Sequence, residues 1–120
     1  MVNRPIKLSL KPFDVVVVPF PFTDRSQSKR RPALVLSSAA FNAANEHSVL
    51  AMITSADQSQ WKGDVPITAL ATTGLTQACI LRMKLFTLDH RLIIRRIGIL
   101  SKKDRELLVQ TWSSLLPLAA

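Results

Sequence analysis

Short hydrophobic runs separated by polar turns recur along most of the chain. Each run is brief and rich in β-branched residues, which is typical of a buried strand rather than a helix. On this pattern we predict strands over residues 13–18, 31–37, 48–54, 64–70, 78–82, 84–88 and 91–100. The chain therefore belongs to a class dominated by β structure.

The segments between these runs carry turn and loop signals. Residues 19–22 (PFPF) hold two prolines that cannot donate to a ladder, so we expect a strand edge or an extended exit. Residues 23–30 (TDRSQSKR) lack apolar side chains, which predicts an exposed loop. Residues 38–46 are predicted to form a turn or one helical turn, with Asn42 and Asn45 as cap or left-handed residues. Further turns are expected at Gly74 and at Asp89-His90.

Only the end of the chain shows a convincing helical pattern. Ser101 followed three residues later by Asp104 resembles a capping box, although Glu is the more usual partner. Apolar residues then recur at helical spacing, at Leu108, Trp112, Leu115 and Leu116. Pro117 is expected to end the helix.

Many short strands and one terminal helix predict a small antiparallel barrel or half-barrel whose open side the helix covers. The 120 residues fit one domain, with residues 1–11 as a loosely held arm. No apolar run is long enough to span a bilayer, and no signal-peptide pattern is visible. We therefore expect a soluble, cytoplasmic protein without a membrane partner.

The charge of the chain gives the first indication of its function. Sixteen Lys and Arg residues oppose eight Asp and Glu, which gives a formal net charge of +8. Seven of the basic residues lie between Arg4 and Arg31 and eight between Arg82 and Arg105, while the middle of the chain has only Lys62. Such a field attracts polyanions such as nucleic acids. A solvated basic surface or an acidic protein partner would account for it equally well.

Metal and thiol chemistry find little support. Cys79 is the only cysteine, so the chain has neither an internal disulfide nor a thiolate cage for a metal, and it fits a small buried hydrophobe. No spacing of His, Asp and Glu is typical of a metal cluster, and we predict no metal or other cofactor. His47 and His90 adjoin predicted turns, where histidines are usually solvated, although a pair of histidines is able to act as general acid and general base.

Several stretches of the sequence resemble a known family. Residues 14–24 (DVVVVPFPFTD) and 29–37 (KRRPALVLS), with the Arg31-Pro32 dipeptide leading a hydrophobic strand, are similar to the opening of MazF/PemK-like toxins. Residues 53–55 (ITS) resemble the strand end that carries a functional Thr in that family. Residues 87–89 (TLD) and 97–100 (IGIL), before a terminal helix, also fit. The resemblance covers residues 13 to about 116.

This resemblance implies an SH3-like barrel that forms a homodimer. It also implies the toxin of a type II toxin–antitoxin system, an endoribonuclease that cuts single-stranded RNA, usually messenger RNA, without metal. The products implied are a 2′,3′-cyclic phosphate and a 5′-hydroxyl. The implied protein partner is an acidic antitoxin encoded beside the toxin.

Arg31 and Thr54 match the family's catalytic positions. A guanidinium is permanently charged and presents a planar fork to phosphate oxygens, which suits stabilisation of a phosphorane. A Thr hydroxyl at a strand end can donate to the same group, although a Thr there is more often ordinary β-propensity. The predicted substrate-binding residues are Asp24, Gln27, Lys29, Arg30, Ser55 and Lys84.

The sequence departs from the family's pattern at the expected proton acceptor. Several members carry a Glu five residues before the catalytic Arg, where this chain has Ser26, and Asp24 is the available substitute. A basic residue that some members carry near the fifth strand aligns with Phe86, two residues after Lys84.

Aromatic residues offer stacking surfaces for bases. Trp61, in a polar loop, is the better candidate or else an interface residue, while Phe20 and Phe22 are expected to pack at the core or strand edge. Trp112 is expected in the core.

Two other functions compete with RNA cleavage. The same fold occurs in CcdB-like toxins, which bind DNA gyrase without cutting nucleic acid, and the same charge would serve a plain nucleic-acid-binding barrel. The Arg31-Pro32 dipeptide and Thr54 favour the ribonuclease.

Overall fold

The computed structural model describes residues 9–21, 29–57 and 60–118. Its strands are β1 (Asp14–Phe20), β2 (Lys29–Val35), β3 (His47–Ser55), β4 (Val65–Pro66), β5 (Cys79–Asp89) and β6 (Arg95–Ile99). Its helices are α1 (Ala39–Asn45) and α2 (Lys102–Leu115), with a 3₁₀ turn at His90–Leu92.

The strands form one antiparallel sheet in the order β4-β5-β3-β2-β1-β6. The sheet curls into a half-barrel, and α2 packs against one of its faces. The predicted fold class, mainly β with a C-terminal helix and a small antiparallel barrel, is confirmed. None of the described helices is long and apolar enough to cross a membrane.

Alternate residues of the strands build two hydrophobic clusters on opposite faces of the sheet, as the two-residue period of a strand requires. The helix-side cluster joins strand residues such as Leu34, Ala51 and Leu81 to Leu108 and Trp112 of α2. The other cluster is built mainly from Leu10, Val16, Val18, Ala33, Val35, Leu50, Leu88 and Ile93. The face of this second cluster also bears the candidate site.

The fifth and sixth predicted strands are one strand. The break expected at Met83 is instead an irregularity within β5, because the pairing with β3 shifts from Ala51 opposite Leu85 to Met52 opposite Arg82. A bulge leaves extra residues unpaired and bends a strand without ending it. The hydrophobic pattern breaks there, but the strand continues.

The strand predicted over residues 64–70 is wrong for most of its length, since β4 contains only Val65 and Pro66. One further ladder bond joins the Ile67 amide to the Cys79 carbonyl. The amides of Thr68 and Ala69 then donate to the buried carboxylate of Asp104 on α2, each at 3.0 Å. These residues leave the sheet because a helix side chain replaces the neighbouring strand as their acceptor.

The expectation for Asn42 and Asn45 is also wrong. Residues 39–45 form a helix, its N-cap is Ser38 and its left-handed terminal residue is Glu46. Asn42 is buried and its amide donates to the carbonyls of Leu10 and Ser37. Most of the predicted N-terminal arm lies outside the described residues, but Leu10 is 3% exposed within the second cluster, so the chain is held from there.

Helix α2 begins as predicted, with the Ser101 hydroxyl accepting from the Asp104 amide at 3.2 Å. Leu108 and Trp112 are buried, as expected of an apolar stripe. Leu115 and Leu116 are more than 40% exposed, which corrects the prediction for the last turn. The helix meets the core through its middle, and its last turn extends past it.

A close backbone contact holds β6 against the turn before β5. A Cβ at Gly98 would overlap the backbone carbonyls of Thr72 and Thr73, and the Ile99 amide donates to the Thr72 carbonyl at 2.8 Å. Gly74 turns the chain as predicted, with a φ of 78° that a side chain would strain.

Candidate functional site

A cavity of about 210 Å³ opens between β1, β2, β3 and β5. Three cationic side chains, two hydroxyls and three apolar groups line it, from Phe20, Arg31, Met52, Ile53, Thr54, Ser55, Arg82 and Lys84. Four residues singled out in the sequence, Arg31, Thr54, Ser55 and Lys84, therefore meet in one place.

The sheet register explains why Arg31 and Thr54 meet. Ala33 of β2 pairs with Met52 of β3, and continuing this antiparallel register by two residues brings Arg31 opposite Thr54. The ladder between these strands stops at Ala33, while β2 still pairs with β1 through Lys29. The two strands therefore part at Arg31, and the cavity opens where their hydrogen bonding ends.

The two candidate catalytic groups are available to a ligand. Arg31 is exposed and Thr54 is half-buried. Among the described residues, no side chain pairs with the Arg31 guanidinium or the Thr54 hydroxyl. By contrast, the Ser55 hydroxyl donates to the Asp57 carboxylate at 2.5 Å. Thr54 is thus the better placed of the two hydroxyls to donate to an anion.

Phe20 and Lys84 form one wall. The Lys84 Nζ atom lies 5.7 Å from the centroid of the Phe20 ring, a distance at which a cation is attracted by the ring. Phe20, which the sequence predicts to pack at the core or the strand edge, therefore also lines the cavity.

Arg82 of β5 also lines the cavity, and it was not among the site residues predicted from the sequence. Its guanidinium donates to both oxygens of the Asp64 carboxylate, at 3.1 and 2.8 Å, and lies 4.8 Å from the centroid of the Trp61 ring. The bonds from Arg82 lower the pKa of Asp64, against the opposing effect of burial, and the Trp61 amide lowers it further. The carboxylate in turn raises the pKa of Arg82. Arg82 and Asp64 therefore form a neutral ion pair. The uncompensated positive charge at the cavity lies with Arg31 and Lys84.

The remaining candidates lie around the cavity or outside the described residues. Lys29 and Arg30 are exposed on β2 immediately before Arg31, but they do not line the cavity. Asp24 and Gln27, together with Phe22 and Ser26, fall in residues 22–28, outside the described part of the chain.

The histidines lie at the far end of β3. His47 and Thr54 are seven residues apart on this strand, about 23 Å at roughly 3.3 Å per residue. His90 Nε2 is 2.8 Å from the buried Ser48 hydroxyl, and its pKa is lowered chiefly by burial. Neither histidine reaches the cavity.

The described lining residues suit an anion that carries a flat apolar group. Cations at Arg31 and Lys84 and a donor at Thr54 match phosphate oxygens, and Phe20 and Met52 supply apolar surface. Within residues 9–21, 29–57 and 60–118, His, Cys, Asp and Glu side chains do not gather into a group that could hold a metal ion.

Comparison with known structures agrees with the fold. A MazE–MazF complex from Deinococcus radiodurans has a TM-score of 0.71 at 23% identity, covering 93% of this chain and 100% of the other. The Mycobacterium tuberculosis toxin MazF-mt6 has a TM-score of 0.69 at 19% identity, covering 89% and 99%. An endoribonuclease in complex with its cognate antitoxin, from a mycobacterial species, has a TM-score of 0.70 at 14% identity, covering 93% and 97%.

Sequence comparison identifies the family. Among curated proteins no significant match is found. The family model of the PemK-like, MazF-like toxins of type II toxin–antitoxin systems matches residues 11–115, which is most of the chain. The resemblance seen in the sequence is confirmed: the chain belongs to this toxin family, whose members are known as endoribonucleases.

Proposed function

We propose that the chain is a metal-independent endoribonuclease that cleaves single-stranded RNA, chiefly messenger RNA. The observation that carries this proposal is the meeting of Arg31 and Thr54 in one cavity at the point where β2 and β3 part. Membership of the toxin family supports it.

The reaction is a transesterification within one nucleotide. The 2′-hydroxyl oxygen attacks the adjacent phosphorus and loses its proton, and the bond from phosphorus to the 5′-oxygen of the next nucleotide breaks. The products are a 2′,3′-cyclic phosphate and a 5′-hydroxyl, which takes up a proton. Negative charge develops on the non-bridging oxygens in the transition state, so preorganised donors aimed at them lower the barrier.

Arg31 carries most of this stabilisation in the proposed mechanism. Its guanidinium offers two parallel N–H donors and a permanent charge, both matched to phosphorane oxygens. The Thr54 hydroxyl donates to a neighbouring oxygen from the facing strand. We assign no general base among the described lining residues, since they include neither a histidine nor a carboxylate.

The surrounding residues bind the substrate in this proposal. Lys84 neutralises a neighbouring phosphate, and exposed Lys29 and Arg30 hold the backbone as it leaves the cavity. Asp24, Gln27 and Ser55 remain proposed as substrate-binding groups.

We also propose that an acidic antitoxin controls the enzyme and that the active form is a homodimer. Two of the similar structures are toxin complexes with an antitoxin. The net charge of +8 would attract such a partner, and opposite charge accelerates its association.

The test is incubation of the pure protein with long single-stranded RNA in excess EDTA. We expect fragments ending in a 2′,3′-cyclic phosphate and a 5′-hydroxyl, with Arg31→Ala protein as the inactive control. Stable binding without cleavage would instead indicate a nucleic-acid-binding barrel. Absence of both would leave a toxin that acts by protein contact, as CcdB-like toxins do on gyrase.

A further inference from the structure

The loop before β4 holds Trp61 as a flat, half-exposed surface beside the cavity. The indole is 47% exposed, although a side chain of its size usually buries most of its area. Its ring lies on the guanidinium of Arg82, which itself lines the cavity and is 8% exposed. Trp61 does not itself line the cavity that Arg31 and Thr54 share, but it contacts Arg82, which does.

Several contacts fix this loop. The Asp64 carboxylate accepts from the Trp61 amide at 2.8 Å while it also holds Arg82, so one acidic group fixes both the Trp61 backbone and the guanidinium on which the ring lies. The Asp64 amide donates back to the Trp61 carbonyl at 3.2 Å. Trp112 of α2 donates from Nε1 to the Gly63 carbonyl at 2.9 Å, which ties the loop to the core. The indole is thus positioned before any ligand binds.

An exposed aromatic plane that is already in place loses little entropy when a ligand stacks on it. The arrangement does not serve a phosphate, because Asp64 neutralises the cation under the ring. A nucleobase has the complementary shape, and stacking on an aromatic side chain or on an Arg plane is the usual way proteins hold unpaired bases.

We propose that Trp61 is the stacking platform for one unpaired base of the RNA whose phosphate lies at Arg31, and that this contact selects single-stranded over double-stranded substrate. The inference rests on the proposed function and adds a binding residue to it. A base inside a duplex has both faces covered by its neighbours, so it reaches Trp61 only when it is unstacked. Because every base has an aromatic face, the contact selects for strandedness more than for sequence.

Binding is measured with a fully 2′-O-methylated RNA oligonucleotide of mixed sequence, which cannot be cleaved because its 2′-oxygens are blocked. Trp61→Ala should raise Kd by roughly 5- to 150-fold, the range found for one stacked base. Trp61→Phe should retain most of the affinity, and Trp61→Leu should not, because it keeps apolar volume but lacks the plane. Phe41→Ala is the matched control, since Phe41 is an aromatic residue of similar exposure (40%) on α1 and should bind as the wild type does.

A second measurement locates the base. The same oligonucleotide is prepared with one abasic nucleotide at each position in turn, and we expect one position to weaken binding by the wild type but not by Trp61→Ala. The two losses should not add, which is the signature of a direct contact. The Phe and Leu variants decide the question if the alanine variant fails to fold.

Three results would overturn the proposal: an unchanged Kd for Trp61→Ala, an abasic penalty that persists in that variant, or a change of oligomeric mass that accounts for the lost binding. The cleavage assay is independent of these. If the wild type binds but does not cut natural RNA, the proposed cleavage fails, and the Kd of Trp61→Ala still decides whether Trp61 contacts a base. If it cuts RNA and Trp61→Ala binds normally, only the platform fails.

Discussion

Arg31 stands where β2 has lost one neighbour and kept the other, which leaves its side chain exposed on a rigid strand. We predict that Arg31→Ala lowers kcat by roughly 10²-fold or more, as removal of other transition-state donors does. Arg31→Lys should rescue little, because one ammonium does not reproduce the guanidinium fork. The rate constant of cleavage under single-turnover conditions is measured for both variants.

Arg95→Ala is the control for this prediction, since it removes an exposed arginine from β6 and should leave kcat unchanged. Thermal unfolding of Arg31→Ala should match the wild type, because no described side chain pairs with this residue. Wild-type cleavage by Arg31→Ala would remove Arg31 from the proposed mechanism.

At the scale of single residues, sequence predicted those parts of the site that lie within recognisable motifs. Arg31 stands in an Arg-Pro dipeptide and Thr54 ends a hydrophobic run, so both could be found. Arg82 could not, because its partner Asp64 is 18 residues away and nothing local indicates that the two meet. The apolar neighbours of Arg82 were the only available signal, since a charged residue inside a buried strand requires a partner.

At the scale of elements, the docking of α2 depends on Asp104. This carboxylate is 1% exposed and accepts from the Thr68 amide, the Thr68 hydroxyl and the Ala69 amide. Asp104→Ala removes the one carboxylate that accepts these three hydrogen bonds, so we predict a loss of roughly 2 kcal/mol or more in the free energy of unfolding. Urea denaturation provides the measurement, and Glu106→Ala, an exposed acidic residue on the same helix, should have little effect.

The same carboxylate predicts how stability depends on pH. Burial alone would raise the pKa of Asp104, but the bonds from Thr68, Ala69 and Ser101 outweigh it and lower the pKa below its ordinary value. The native state therefore holds its proton less tightly than the unfolded state, and the stabilisation is present above the unfolded pKa and lost as pH falls through the native one. Asp104→Asn should be less stable near neutrality and should lose less stability than the wild type as the pH drops below about 4. The free energy of unfolding of both proteins is measured as a function of pH. An equal loss of stability in the two proteins below about pH 4 would contradict this assignment.

The existence of most strands was predictable from sequence, and their ends were not. The pattern over residues 64–70 remains strand-like, yet the donors at Thr68 and Ala69 turn to a helix 36 residues later in the chain. The bulge at Met83 interrupts the alternation of side chains, and such a break predicts a strand end. In both places a long-range partner decided the backbone, and local sequence carries no information about such a partner.

For the whole molecule, the net charge of +8 predicts a strong dependence of RNA binding on salt. On single-stranded RNA, log K should fall by about 0.7 per log unit of salt for each phosphate neutralised. Replacing both Lys29 and Arg30 with Gln should flatten this slope, because they lie beside the cavity. Replacing Lys102 and Lys103 with Gln removes the same charge from the start of α2, on the other face of the sheet, and should leave the slope nearly unchanged. Equal slopes for the two double variants would place the RNA on another surface.

Inhibition by the proposed antitoxin also depends on the surface as a whole. We predict that an acidic antitoxin segment competes directly with RNA, placing carboxylates near Arg31 and an apolar side chain in the cavity or at the interface of the proposed homodimer. Opposite charge would accelerate the association of the antitoxin segment, and the apolar anchor would slow its dissociation. Hydrogen exchange of the complex should protect the ends of β2 and β3. Protection confined to the opposite face, with cleavage still blocked, would show that inhibition acts from a distance.

The contact at Gly98 has a consequence for genetics. A culture that expresses an active toxin without its antitoxin selects for mutants that have lost toxicity. Any side chain at Gly98 collides with the carbonyls of Thr72 and Thr73, so survivors should arise there as readily as at Arg31, but with little soluble protein. Immunoblots of soluble extracts would separate the two classes, and wild-type amounts of a Gly98→Ala protein would contradict the expectation. A map of such survivors will therefore mark positions that maintain the fold as well as those with a role in the proposed reaction, and only the protein level distinguishes them.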